Sequence, residues 1–139
     1  MQLDRTLYTA RATAMGGRTG PVQSDDRTLD LQLAPPRKRI PGATNPEQLF
    51  ACGFAACFGS ALAEVAPRFG IDAAAAHVEC AVDLGTTSGP GGYGLAVTLT
   101  VKVPGADTEA LRKAIEAADE VCPYSNAVRG NVAVTLRTA

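Results

Sequence analysis

The sequence predicts an α+β fold, with antiparallel sheets wrapped around two central helices. Three observations carry this. Asn45-Pro-Glu-Gln-Leu-Phe-Ala-Cys-Gly-Phe-Ala-Ala-Cys-Phe58 opens a helix that is apolar almost all round, which marks it as buried on every side. Residues 28–33 and 78–84 alternate apolar and polar side chains with the period of half-buried strands, and 94–103 continues the latter as the other half of a hairpin. Leu111, Ile115, Ala118 and Val121 recur at helical spacing and form the apolar face of a second helix.

The elements follow in order. Leu7, Tyr8, Thr9 and Thr13 suit a strand over 6–14, ahead of the turn Gly16-Gly-Arg-Thr-Gly20. Leu29, Leu31 and Leu33 share one face of a strand over 28–33, and Pro35, Pro36, Pro41 and Gly42 then mark a loop. Asn45 is a good N-cap, Pro46 suits the first helical position, and Gln48 can reach back as in a capping box. The helix should run to about Ala66, because Pro67 cannot continue it comfortably. Gly53 and Gly59 cost about 1 kcal/mol each relative to alanine there, and close approach by another backbone is the expected compensation. Val78, Cys80, Val82 and Leu84 line one face of a strand, which Ser88-Gly-Pro-Gly-Gly92 turns back into a second over 94–103. The second helix spans roughly 107–121, and a short strand closes the chain over 131–136.

At 139 residues, the chain reads as a single domain over 1–139, small enough that a homodimer would add useful burial. A net charge of -1 argues against nucleic acid as a partner. Met1-Gln-Leu-Asp-Arg-Thr6 is followed by no apolar run, so no secretory signal is expected. The uncharged apolar stretch from Leu49 to Ala63 falls short of the ~20 residues of a spanning helix, so no membrane is expected either. A cytoplasmic setting follows, in which cysteine pairs are more often redox-active or metal-binding than structural.

The four cysteines differ in promise. Cys57 reads plainly as a small buried hydrophobe. It lies too deep in its helix for the dipole to activate it, so a functional thiol there needs an external cation, for which Arg18 is the natural candidate. Cys52 lies ~140° round the helix from Cys57 and ~7.5 Å along it, on a different face and beyond disulfide reach, and reads as packing. Cys80, on the apolar face of its strand, also reads as packing. Cys122 sits at a helix end before Pro123, where a thiol can move or can simply finish a core. The single histidine, His77, alternates with Glu79 and Asp83 on a polar face. That argues against Cys-His catalysis, and without CxxC spacing no metal site is expected. Arg37-Lys-Arg39 is a short basic run, either a solvated loop or a docking element for an acidic partner.

The chain resembles the organic hydroperoxide resistance (Ohr) proteins of the OsmC/Ohr family. The resemblance rests on Tyr8-Thr-Ala10, Ala12-Thr-Ala14, Gly16-Gly-Arg-Thr-Gly20, Thr44-Asn-Pro-Glu-Gln-Leu-Phe50, Ala55-Ala-Cys-Phe58, Gly92-Tyr-Gly-Leu-Ala-Val97, Cys122-Pro-Tyr-Ser-Asn-Ala127 and Arg129-Gly-Asn-Val132, in order along nearly the whole length. It implies an intertwined homodimer and a thiol peroxidase that reduces organic, including fatty-acid, hydroperoxides. Cys57 would be the peroxidatic thiol, Cys122 the resolving thiol, Arg18 the activating cation and Glu47 its carboxylate anchor. The implied reductant is dihydrolipoamide or a lipoylated protein, with no bound cofactor. Phe50, Phe54, Phe58 and Tyr124 fit a preference for bulky hydroperoxides, or are ordinary core. The chain departs from the family pattern at Pro36-Arg-Lys-Arg-Ile-Pro41, where a glycine-rich loop is usual, and at Cys52, where alanine is usual.

Two questions stay open at this level. Glu47 and Cys57 would lie ~15 Å apart along a straight helix, too far for one Arg18 to touch both. Either the helix breaks near Gly53, or carboxylate and thiol come from different subunits; the second is preferred. An OsmC-type peroxidase of other preference, a non-catalytic thiol sensor and a hydrophobic-ligand binding module are the rival functions.

Overall fold

A computed structural model describes residues 1–139, which divide into two compact units, Met1–Pro46 and Glu47–Ala139.

The first unit is a small sheet of four short strands in the order β1-β2-β3-β4: β1 (Ala12–Ala14), β2 (Pro21–Ser24), β3 (Asp30–Leu33) and β4 (Ala43–Thr44). β1, β2 and β3 pair antiparallel, with Val22 opposite both Ala14 and Leu31. The strand expected over 6–14 is thus only its last three residues, and β2 is a strand that the sequence did not announce. Asp26 organises the turn from β2 to β3. Its carboxylate accepts from the Ser24 hydroxyl at 2.6 Å and from the N–H and hydroxyl of Thr28, which together hold its pKa down at about 2.

The second unit begins with α1 (Pro46–Val65), one unbroken helix that passes straight through Gly53. Pro67 does end the α-helix, but a 3-10 turn over Ala66–Phe69 extends the rod before Gly70, at φ 70°, reverses it. The resulting 24 residues, Pro46–Phe69, are long and apolar enough to cross a bilayer by length and composition, unlike the shorter stretch seen in the sequence. Here Phe54, Phe58, Ala61, Leu62 and Val65 are instead buried in the core of the unit.

β5 (His77–Thr86) and β6 (Tyr93–Lys102) form a hairpin of ten paired positions. α2 (Thr108–Val121) follows, its N-terminus capped by the Asp107 carboxylate, which accepts from the Ala110 N–H at 2.9 Å. α3 (Pro123–Val128) and β7 (Ala133–Thr138) complete the chain. β7 pairs with β6 in parallel, and β4 pairs with β3 in parallel, so the expectation of wholly antiparallel sheets is corrected. The reason at β7 is connectivity: α2 and α3 form a crossover that returns the chain in the direction of β6.

β6 is the middle strand, and Val97, Leu99 and Val101 on one of its faces are buried. In register beside them stand Val82, Cys80 and Val78 of β5, and Val134 and Leu136 of β7. The apolar faces of α1 and α2 join this surface in one core. Burying each such side chain contributes roughly 1.5–3 kcal/mol. His77, Glu79 and Asp83 lie on the exposed face, as their alternation requires.

Candidate active site

Two of the thiols meet. Cys57 projects from α1 between the buried Phe54 and Phe58 and is itself half-buried, while Cys122 is 0% exposed. The Cys122 Sγ lies 3.7 Å from the Cys57 Sγ.

The local chain explains how Cys122 is held. A residue before proline disfavours the α conformation, so Cys122 is extended (φ -68°, ψ 121°) and ends α2. Pro123 then occupies the first position of α3, which needs no N–H there. The sequence placed Pro123 as the end of a helical run; it is also the start of the next one. Cys122 is therefore a one-residue joint, tied on both sides by its N–H to Ala118 O at 2.9 Å and its carbonyl to Asn126 N–H at 3.0 Å. The resolving-type thiol expected at a mobile helix end is packed in the core.

The first turn of α3 leaves backbone N–H groups free of helical partners, and that of Tyr124 donates to the Cys57 sulfur. This favours a thiolate. Burial works against it and is the larger influence, joined by the neighbouring Cys122 thiol, so Cys57 stands above its ordinary pKa. Tyr124 as a backbone donor was not legible as a site residue, although Pro at the first helical position was a signal that free N–H groups follow.

Phe50, Phe54 and Tyr124 form an aromatic cluster beside the thiols, with ring centroids 5.9 Å (Phe50–Phe54), 6.1 Å (Phe50–Tyr124) and 5.7 Å (Phe54–Tyr124) apart. Phe50 and Tyr124 keep accessible surface; Phe54 and Phe58 are 0% exposed core residues. Gly53 accommodates the Tyr124 ring, and Gly59 faces the Val78 side chain. Both glycines were expected to admit a backbone, and both face side chains.

Glu47 is half-buried in the first turn of α1, where the helix dipole favours a carboxylate. Because α1 is continuous, Glu47 and Cys57 are separated by ~15 Å along its axis. Arg18 belongs to the first unit, in a 3-10 turn over Gly17–Thr19. That turn is tightly defined. Gly16 and Gly17 have φ of 74° and 56°, and a Cβ on Gly20 would collide with the Met15 carbonyl at 1.6 Å. The Thr19 hydroxyl donates to Gly16 O, and the Gln32 amide to Thr19 O.

The remaining thiols lie apart from this pair. Cys80 is half-buried among the core side chains, its thiol pushed up by burial and by Cys52. Cys52, read as packing, is exposed. No group of three or more His, Cys, Asp or Glu side chains has the arrangement of a metal site.

A model of the OsmC-like protein family matches residues 39–137. The chain belongs to the OsmC/Ohr family. Its relatives in that family are close. It is 46% identical to an organic hydroperoxide resistance protein of Xanthomonas axonopodis pv. citri, over 98% of this chain and 97% of the relative. It is also 46% identical to the organic hydroperoxide resistance protein OhrB of Bacillus subtilis, over 94% and 96%. The crystal structure of that OhrB superposes with a TM-score of 0.89, at 42% identity over 96% of this chain and 100% of that one. An organic hydroperoxide resistance protein of Vibrio cholerae, solved with captopril in one of its active sites, superposes with a TM-score of 0.88 at 40% identity over 99% and 95%. The Ohr resemblance read from the motifs therefore holds along the chain, and with it the α+β class.

Proposed function

We propose that this Ohr-family chain is a thiol peroxidase that reduces organic hydroperoxides, fatty-acid hydroperoxides among them, to alcohols. The single observation that carries the reading is the 3.7 Å approach of Cys57 and Cys122 within an aromatic setting. Two thiols so close across distant parts of the chain are placed for disulfide chemistry.

The Cys57 thiolate attacks the distal peroxide oxygen. Sulfur donates an electron pair, the O–O bond breaks, and the departing alkoxide takes a proton to become the alcohol. Cys57 is left as a sulfenic acid. The Cys122 thiol attacks that sulfur, water leaves, and a Cys57–Cys122 disulfide forms. An external dithiol, dihydrolipoamide or the lipoyl group of a protein, reopens it by two exchanges and departs as a cyclic disulfide.

Burial disfavours the Cys57 thiolate, and Arg18 offsets it through a charge-assisted hydrogen bond to the sulfur. Glu47 orients the guanidinium as a carboxylate partner. The unbroken α1 removes the alternative of a helix break at Gly53 and supports a site shared across a homodimer, with Glu47 and Cys57 from different subunits. Phe50 and Tyr124 supply the apolar surface for a bulky hydroperoxide.

The test is consumption of cumene hydroperoxide with dihydrolipoamide as donor, for wild type, Cys57→Ser and Cys122→Ser. Wild type should turn over many times, Cys57→Ser not at all, and Cys122→Ser at most slowly. Full activity in Cys57→Ser would overturn the proposal. A single oxidation of wild type followed by arrest would instead identify a redox sensor.

A further inference from the structure

Between β3 and β4 the chain passes through Pro35-Pro-Arg-Lys-Arg-Ile-Pro41. Its backbone is fixed. Pro36–Lys38 form a 3-10 turn in which Lys38 N–H donates to Pro35 O at 3.0 Å and Arg39 N–H to Pro36 O at 3.4 Å. Ala43 N–H donates to Ile40 O at 3.1 Å. Arg39 takes the left-handed conformation (φ 43°), which residues with a Cβ rarely adopt. Arg37, Lys38 and Arg39 are all exposed, and none of their side chains makes an ion pair or hydrogen bond. Arg112 pairs with Glu109 and Glu116, and Arg129 with Asp119, whereas Arg5, Arg11, Arg27, Arg68, Lys102 and Arg137 stand unpaired but singly, so what distinguishes this run is adjacency. On a chain of net charge -1, a stiff turn thus displays three adjacent cations that satisfy nothing within it.

We propose that this turn is the docking element for an acidic protein surface, that of the domain which carries the reducing dithiol. The inference rests on the peroxidase reading above. Of the two reactants, the hydroperoxide is small and needs no docking surface, whereas a protein-borne dithiol must be found and released in every cycle. Exposed, unpaired charges serve that need: they speed encounter and set its salt dependence without prolonging the complex. A membrane surface fits less well. Polybasic membrane segments use clusters of four to eight Lys or Arg, and nothing in such binding calls for a fixed turn.

The experiment compares two donors to wild type: a reduced lipoylated protein domain of net negative charge, and free dihydrolipoamide, which is neutral. The variants are the triple Arg37→Ser/Lys38→Ser/Arg39→Gly, in which glycine suits the positive φ, and the charge reversal Arg37→Glu/Lys38→Glu. At low ionic strength kcat/KM for the lipoylated domain should fall about tenfold in the triple variant and further in the reversal. Added salt should slow wild type and affect the triple variant less, while turnover with free dihydrolipoamide stays within about twofold of wild type in both. Equal rates with the lipoylated domain at every salt concentration would overturn the inference. So would parallel losses with both donors, which would point to a damaged fold. Wild type that sediments with phosphatidylglycerol vesicles while donor rates are unchanged in the variants would assign the turn to a membrane instead. Failure of wild type to turn over with either donor would bring down the peroxidase reading itself, and this inference with it.

Discussion

The Tyr124 hydroxyl stands 2.9 Å from where a Cβ on Gly53 would lie, so a glycine in the middle of α1 sets the position of a ring on α3. That ring belongs to the residue whose N–H faces the Cys57 sulfur. A methyl group at residue 53 would gain helix propensity of about 1 kcal/mol while pushing the ring away. Gly53→Ala should therefore leave the melting temperature within a few degrees of wild type but lower kcat/KM for cumene hydroperoxide several-fold. Adding Tyr124→Phe, which removes the nearest atom, should restore part of the loss. No change in activity would show that the ring yields freely.

Of Phe50, Phe54 and Phe58, Phe50 can be truncated with least harm to the core. Phe54 and Phe58 are fully buried, and cutting either to alanine would cost roughly 3–5 kcal/mol in stability. Phe50→Ala should lower kcat/KM for cumene hydroperoxide more than for hydrogen peroxide. Equal losses on both substrates would remove Phe50 from substrate selection.

The shared-site arrangement has a quantitative signature. Inactive Glu47→Gln and Cys57→Ser proteins, unfolded together and refolded in equal amounts, should recover about a quarter of wild-type activity, because mixed dimers would hold one intact site of two. No recovery would place Glu47 and Cys57 of one site in the same chain.

The Cys80 thiol pKa is raised, with burial as the chief cause. A thiol raised on folding contributes stability that is present below its unfolded value and lost as pH rises through the folded one. For reduced protein, the urea midpoint should decline once pH exceeds about 8.5. Cys80→Ala should flatten that decline relative to its own value at neutral pH. A decline unchanged in Cys80→Ala would remove Cys80 as a contributor.

Ser125 carries a buried hydroxyl without a hydrogen-bond partner. Leaving such a group unmade costs about 1–3 kcal/mol, so Ser125→Ala should raise stability by about 1 kcal/mol and the melting temperature by a few degrees in a thermal scan. A fall in melting temperature would mean that the hydroxyl is satisfied in solution.

Local signals were legible in the sequence, and long-range ones were not. Pro46 announced the start of α1, and the alternation at Val78, Cys80 and Val82 gave the correct face of β5, although Leu84, read with them, is exposed. Each depends on residues within a turn or two of one another. The partner of β7 depends on how the chain crosses over through α2 and α3, which no local pattern encodes. α3 went unseen because Pro123 stops one helix and starts another, and only the first effect was read. At the thiols, spacing separated Cys52 from Cys57 but was silent on Cys122, whose approach is a product of tertiary packing.

The two sulfurs lie 65 residues apart in sequence. Bonding them would close a loop of that length in the denatured chain and, by loop-closure entropy, disfavour unfolding by about 4 kcal/mol. In the proposed cycle the molecule would then alternate between a tethered form and an open one. Resistance to proteolysis would track the supply of peroxide: chains waiting for substrate would be digested first, and chains waiting for a reductant would outlast them.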